Sequence, residues 1–141
     1  MAATRTANAH WEGSLLEGKG RVSLDSSGIG SYDVSWPART EEPNGVTSPE
    51  ELIAAAHSTC YSMSLSNVLT KAGHTVEIID TRADVSFQPG EGITGSHITT
   101  RASVPGLSAE EFATFAETAK TACPVSGALA GTTITLDAAL A

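Results

Sequence analysis

The chain has 141 residues, with 8 basic and 16 acidic side chains and a net charge of −8. That length implies one domain, 1–141, and the acidic balance disfavours nucleic acid and anionic membranes as partners, since both need a basic face. The longest apolar run, Leu52 to Ala56, is too short to cross a bilayer. Residues 1–12 carry no apolar core or cleavage pattern of a signal peptide, so the cytoplasm is the expected location. Aromatics are only 5% of the residues, and alanine is the commonest type. Either the elements pack very closely or part of the core lies between subunits.

The front third is broken by Gly and Ser and reads as short strands near Ala9–Leu15, Gly20–Asp25 and Gly30–Trp36. Trp11, Tyr32 and Trp36 are expected to cover that sheet. Pro37 to Ser48, with Pro43, Asn44 and Gly45, reads as a loop. Ser48-Pro49-Glu50-Glu51 is a capping box with Pro at the first helical position. The helix it opens runs through Leu52, Ile53, Ala56, Cys60, Met63 and Val68 and stops at Gly73, so it must cross the centre of a domain this small.

Thr75 to Phe87 and Ile93 to Val104 alternate as paired strands around the turn Pro89-Gly90-Glu91-Gly92. Ser108-Ala109-Glu110-Glu111 is a second capping box, opening a helix with Phe112, Phe115, Ala116, Ala119 and Ala122 on one face. Pro124 ends or breaks that helix, Val125 to Ala130 adds a short helical turn, and Thr132 to Leu136 closes as a strand. The order β-β-β-α-β-β-α-β predicts an α+β fold with antiparallel sheets and two main helices.

Cys60 and Cys123 are the only cysteines. Without a CxxC pair or a Cys/His cluster at ligand spacing, neither a metal nor another cofactor is called for. The thiols are either two inert core residues or a redox pair. Cys60 lies in mid-helix, beyond reach of its own helix dipole, and as a thiolate it would need a cation from elsewhere. Arg39 stands out, because it lies in the segment that feeds this helix. Cys123 closes its helix beside Pro124, where a thiol has room to swing. Glu51 is the capping-box acid and Glu50 complements the helix dipole, so each has a structural role already. His57, three residues before Cys60, is placed either as a base for that thiol or as the partner of a polar spot near an interface.

The run Thr47-Ser48-Pro49-Glu50-Glu51-Leu52-Ile53-Ala54-Ala55-Ala56-His57-Ser58-Thr59-Cys60-Tyr61-Ser62-Met63 closely resembles the OsmC/Ohr family of thiol peroxidases, nearer its OsmC branch. Ala9-His10-Trp11-Glu12-Gly13 with Gly18-Lys19-Gly20, Ile79-Asp80-Thr81-Arg82-Ala83-Asp84-Val85 and Ala122-Cys123-Pro124-Val125-Ser126 are similar in order and spacing. The resemblance implies an intertwined α+β homodimer, with two sites at the subunit interface, that reduces organic hydroperoxides at the expense of a dithiol. In the family that dithiol is typically carried by a lipoyl-bearing protein. Cys60 matches the peroxidatic cysteine, Cys123 the resolving one, Arg39 the catalytic arginine and Glu50 the glutamate that orients it.

The implied chemistry is coherent. Arg39 would hold Cys60 as thiolate and orient the peroxide, with Glu50 fixing the guanidinium in a planar pair. Thiolate attack leaves a sulfenic acid, which Cys123 condenses to a disulfide. Ile53, Met63 and Phe112 are expected to form an apolar lining that favours alkyl hydroperoxides over hydrogen peroxide. One geometric difficulty stands: ten residues of straight helix place Glu50 about 15 Å from Cys60 and about 80° around the axis. A site at a subunit interface, bridged by Arg39, resolves it. The competing readings are a non-enzymatic thiol-redox sensing or binding module, and a structural protein with two inert thiols.

Overall fold

The structure is a computed structural model describing all residues, 1–141. It divides into two compact units, Met1–Leu52 and Ile53–Ala141. In the first, β1 (Asn8–Glu12), β2 (Lys19–Ser23) and β3 (Ser31–Val34) form an antiparallel sheet in the order β1-β2-β3. Trp11 pairs with Gly20, and a Cβ at Gly20 would stand 2.7 Å from the indole ring. Glycine is therefore what lets the indole lie across the neighbouring strand.

The expected loop beginning at Pro37 is in part a short helix, α1 (Trp36–Thr40). Ser35 is its N-cap: extended backbone (φ −153°, ψ 161°) with a side-chain oxygen accepting from the Ala38 N–H at 3.2 Å. Pro37 fits the first turn because its missing N–H would have had no helical partner. Trp36 thus belongs to a helix, with the Arg39 guanidinium carbon 5.8 Å from its ring centroid. Trp11 and Tyr32 stay 41% and 43% exposed. Leu15, Leu16 and Ile29 are also exposed, so this unit closes no apolar core of its own.

Helix α2 (Pro49–Lys71) starts on half of the predicted capping box. The Ser48 hydroxyl accepts from the Glu51 N–H at 3.2 Å, but the Glu51 carboxylate takes the Thr47 hydroxyl at 2.5 Å. The helix ends as Gly73 predicts. With φ +89°, Gly73 donates to the Thr70 carbonyl and His74 to the Leu69 carbonyl, each at 3.0 Å, which caps the last turn.

In the second unit β4 (Ile78–Gln88) and β5 (Gly92–Ser103) pair antiparallel. The chain then passes through α3 (Ala109–Ala122) and α4 (Pro124–Ala128) before β6 (Thr133–Leu140). This helical crossover returns β6 alongside β5 in the same direction, so the sheet is mixed, not wholly antiparallel, in the order β4-β5-β6. The Ser108 capping box is complete in both directions.

Tyr61, Leu65 and Leu69 of α2 are wholly buried with Ile98 and Ala102 of β5 and Phe112, Ala116 and Ala119 of α3. Burying each large apolar side chain contributes about 1.5–3 kcal/mol. Hydroxyls stitch the same elements: Tyr61 Oη donates to the Ala116 carbonyl at 3.0 Å, Ser64 to the Ala119 carbonyl at 2.9 Å, and Ser62 to Thr81 Oγ1 at 2.8 Å. No buried side-chain nitrogen or oxygen lacks a partner. Small residues at Ala102, Ala116 and Ala119 let the elements approach closely, which is how an alanine-rich chain fills this core.

Candidate functional site

The first unit places Arg39 and Glu50 together. Arg39 comes from the last turn of α1 and Glu50 from the first turn of α2. Arg39 Nε donates to Glu50 Oε1 at 2.9 Å and to Oε2 at 3.1 Å, and Nη2 donates to Oε2 at 2.9 Å. The Glu50 side chain is 8% exposed and that of Arg39 27%. The guanidinium carbon also lies 5.8 Å from the centroid of the Trp36 ring. A delocalised cation is therefore fixed in plane by a buried carboxylate and backed by an indole, an arrangement suited to presenting its remaining donors to an anion. The contribution of Trp36 was missed in the sequence. Its signal was the Ser35–Pro37 spacing of a helix start.

In the second unit Cys60, half-buried in the middle of α2, and Cys123, buried between α3 and α4, are both free thiols, and Cys60 packs against the core that contains Cys123. Cys123 is at once the C-cap of α3 and the N-cap of α4 (φ −67°, ψ 118°). Burial pushes the Cys60 thiol up, and the neighbouring Cys123 adds to this against the lowering influence of the Val125 N–H. Burial opposes a Cys123 thiolate too. The Ser126 N–H, the Cys60 side chain, the Ser126 hydroxyl and the Val125 N–H outweigh it, and Cys123 falls below the ordinary cysteine value.

His57 is wholly buried. Its Nδ1 is 2.7 Å from Ser96 Oγ of β5 and its Nε2 2.9 Å from Ser126 Oγ of α4. Burial lowers its pKa, so the ring is neutral at physiological pH. Its partners are hydroxyls that the sequence alone did not single out. Of the expected apolar lining, Phe112 is 1% exposed and packs in the core that contains Cys123. Ile53 is half-buried and Met63 is 68% exposed on α2. The three differ in accessibility within one chain.

The family model described as OsmC-like protein matches residues 42–137. The chain is 42% identical over 140 residues to the peroxiredoxin OsmC of Escherichia coli, covering 97% of this chain and 96% of that protein. Among solved structures, it is similar to an organic hydroperoxide resistance protein OsmC from Legionella pneumophila, with TM-score 0.73 and 23% identity over 98% of this chain and 99% of that one. It is also similar to an organic hydroperoxide resistance protein from Elizabethkingia anophelis, with TM-score 0.72 and 25% identity over the full length of both chains. A match over most of the length, by a family model and by a relative this similar, leaves one assignment: the chain belongs to the OsmC-like family.

Proposed function

We propose that this chain reduces organic hydroperoxides to alcohols, with Cys60 as attacking thiol and Cys123 as resolving thiol. The chain is a thiol-dependent peroxidase, as its relative named a peroxiredoxin requires. The observation that supports the residue assignment is that Cys60 packs against the buried core that contains Cys123.

In the first step the Cys60 thiolate attacks a peroxide oxygen and the O–O bond breaks. The sulfur is oxidised to sulfenic acid and the alkoxide leaves as alcohol after protonation. In the second, Cys123 attacks the sulfenic sulfur; the S–S bond forms and the hydroxyl leaves as water. A dithiol, in the family's manner a lipoyl-bearing one, then reduces the disulfide. Burial opposes charge on the Cys60 thiol, so its thiolate needs a further cation. Arg39, fixed by Glu50, has the charge and the planar donors for that role and for orienting the peroxide. Ile53 and Met63 supply apolar surface for an alkyl group; Phe112, 1% exposed within the core, has no surface to offer one.

The working form is a homodimer of single-domain chains in the cytoplasm. The exposed Trp11, Leu16, Met63 and Ile78 support the dimer, because a second copy would bury them. The deciding experiment is consumption of tert-butyl or cumene hydroperoxide with a dithiol. Activity is expected in the native chain and absent in Cys60→Ser. Full activity in Cys60→Ser overturns the assignment, and stoichiometric disulfide formation without turnover favours a redox sensor.

A further inference from the structure

Ser96, His57 and Ser126 are joined by hydrogen bonds across β5, α2 and α4, and Ser126 stands in the first turn of the helix that Cys123 opens. We propose that His57, its tautomer set by Ser96, aims the Ser126 hydroxyl at the Cys123 sulfur and so prepares the resolving step. The inference rests on the reading of Cys60 and Cys123 as a peroxidatic and resolving pair.

The argument is one of counting protons. A neutral imidazole has one N–H and one bare nitrogen. When the Ser96 hydroxyl donates to Nδ1, the proton must be on Nε2, and Nε2–H donates to Ser126 Oγ across 2.9 Å. Ser126 then accepts from the ring and has its own O–H left for the next acceptor. That acceptor is Cys123, the residue that opens α4 one turn before Ser126, and hydrogen bonding from Ser126 would lower its pKa. No charge on the ring is needed at any stage, which suits a wholly buried histidine whose neighbours at both nitrogens are hydroxyls.

A ring serving only as a staple between β5 and α4 would be indifferent to which way the serine protons point. Here the direction decides whether Cys123 meets a donor or a second acceptor. In the reaction itself the electron pair of the Cys123 thiolate forms the S–S bond, the S–O bond of the Cys60 sulfenic acid breaks, and the departing hydroxide becomes water by taking up one proton, balancing the one Cys123 released on ionising. Cys123 is oxidised and the Cys60 sulfur reduced, so no outside reactant is required. His57 is thus a positioning residue acting through Ser126.

The titratable groups that act on Cys123 are few. Cys60 and Tyr61 face it from α2, and Tyr61 is pushed well above the usual tyrosine value by burial and by Glu117, so it stays protonated. Lys120 of α3 lines the same surface depression of about 300 Å³ as Ser126, and pairs with Glu117 at 3.2 Å.

Two pH series test the proposal. The first follows thiolate absorbance at 240 nm in a Cys60→Ser background, which leaves Cys123 as the only thiol. The second follows conversion of sulfenic acid to disulfide after one equivalent of cumene hydroperoxide. Ser126→Ala and His57→Leu are expected to move both profiles to higher pH. At neutral pH they should slow disulfide formation about tenfold, as loss of one hydrogen bond to a charged group does, with the deficit closing at alkaline pH. His57→Gln, whose side-chain N–H can still reach Ser126, should stay near the native profiles. Unmoved profiles, slowing by the same factor at every pH, or equal effects of Gln and Leu at His57 overturn the proposal. Should His57→Leu fail to fold, Ser126→Ala decides alone. If the native chain forms no disulfide with peroxide, the peroxidase assignment of the cysteines falls, while the absorbance titration still decides the link from His57 to Cys123.

Discussion

Arg39 grips both carboxylate oxygens of Glu50 through Nε and Nη2, at 2.9–3.1 Å, although the two residues lie on separate helices joined by an eight-residue segment. The carboxylate is the more deeply buried partner, so it depends on the guanidinium more than the reverse. Arg39→Ala should therefore destabilise the chain by about 3 kcal/mol, the usual cost of leaving a buried charge unpaired. Glu50→Gln keeps the shape but loses the charge-assisted fork. It is expected to lower kcat/KM for an organic hydroperoxide by about 10- to 100-fold with a smaller loss of stability. Thermal melts and steady-state kinetics on the two variants separate these effects.

The cysteines should fail in different ways. Cys60→Ser removes the attacking sulfur and abolishes peroxide consumption. Cys123→Ser leaves Cys60 able to react once but not to form the intramolecular disulfide, so mass spectrometry should find sulfenic acid, then sulfinic and sulfonic acids at Cys60 with excess peroxide. An unmodified Cys60 in that variant would contradict the assignment.

His57 gives stability a pH dependence. Burial holds its folded-state pKa below the unfolded value of 6.5, so the unfolded chain binds the proton more readily. Its contribution is therefore complete above that value and is lost as pH falls through the lower folded-state pKa. Urea titrations between about pH 7 and 5, above most carboxylate titrations, should show native stability falling with pH. In His57→Gln that part of the slope should flatten.

Tyr61 tests the core. Its hydroxyl is buried and donates to the Ala116 carbonyl, tying α2 to α3. Tyr61→Phe keeps the ring packing but leaves that carbonyl without this donor. A loss of about 1–2 kcal/mol is expected, seen as a drop of several degrees in Tm.

The comparison of sequence with fold is clearest at the helix ends. Ser108 with Glu111 and Gly73 act locally, and the structure uses them as their chemistry dictates. Ser48 was half legible. Its hydroxyl caps Glu51 as predicted, but Thr47 competes for the Glu51 carboxylate, and spacing does not rank two hydroxyls within reach of one acid. Ser35 and Pro37 carried a helix start that the glycine- and proline-marked segment behind them obscured. The parallel partnership of β6 with β5 was invisible, because alternation reveals a strand's faces but not its direction.

By itself, the sequence determined most of the elements and the family, since capping, hydrophobic period and motif spacing are properties of neighbours along the chain. Its poverty in large apolar side chains proved uneven: the second unit fills a tight core with alanine, while the first leaves its aromatics exposed. Only the tertiary structure decided that Arg39 and Glu50 pair in plane, that Cys60 packs against the core holding Cys123, and that His57 lies between two serines 39 and 69 residues away. Those contacts depend on chain paths that no local propensity encodes. They in turn set how readily each buried group ionises, because desolvation and hydrogen bonding act through space.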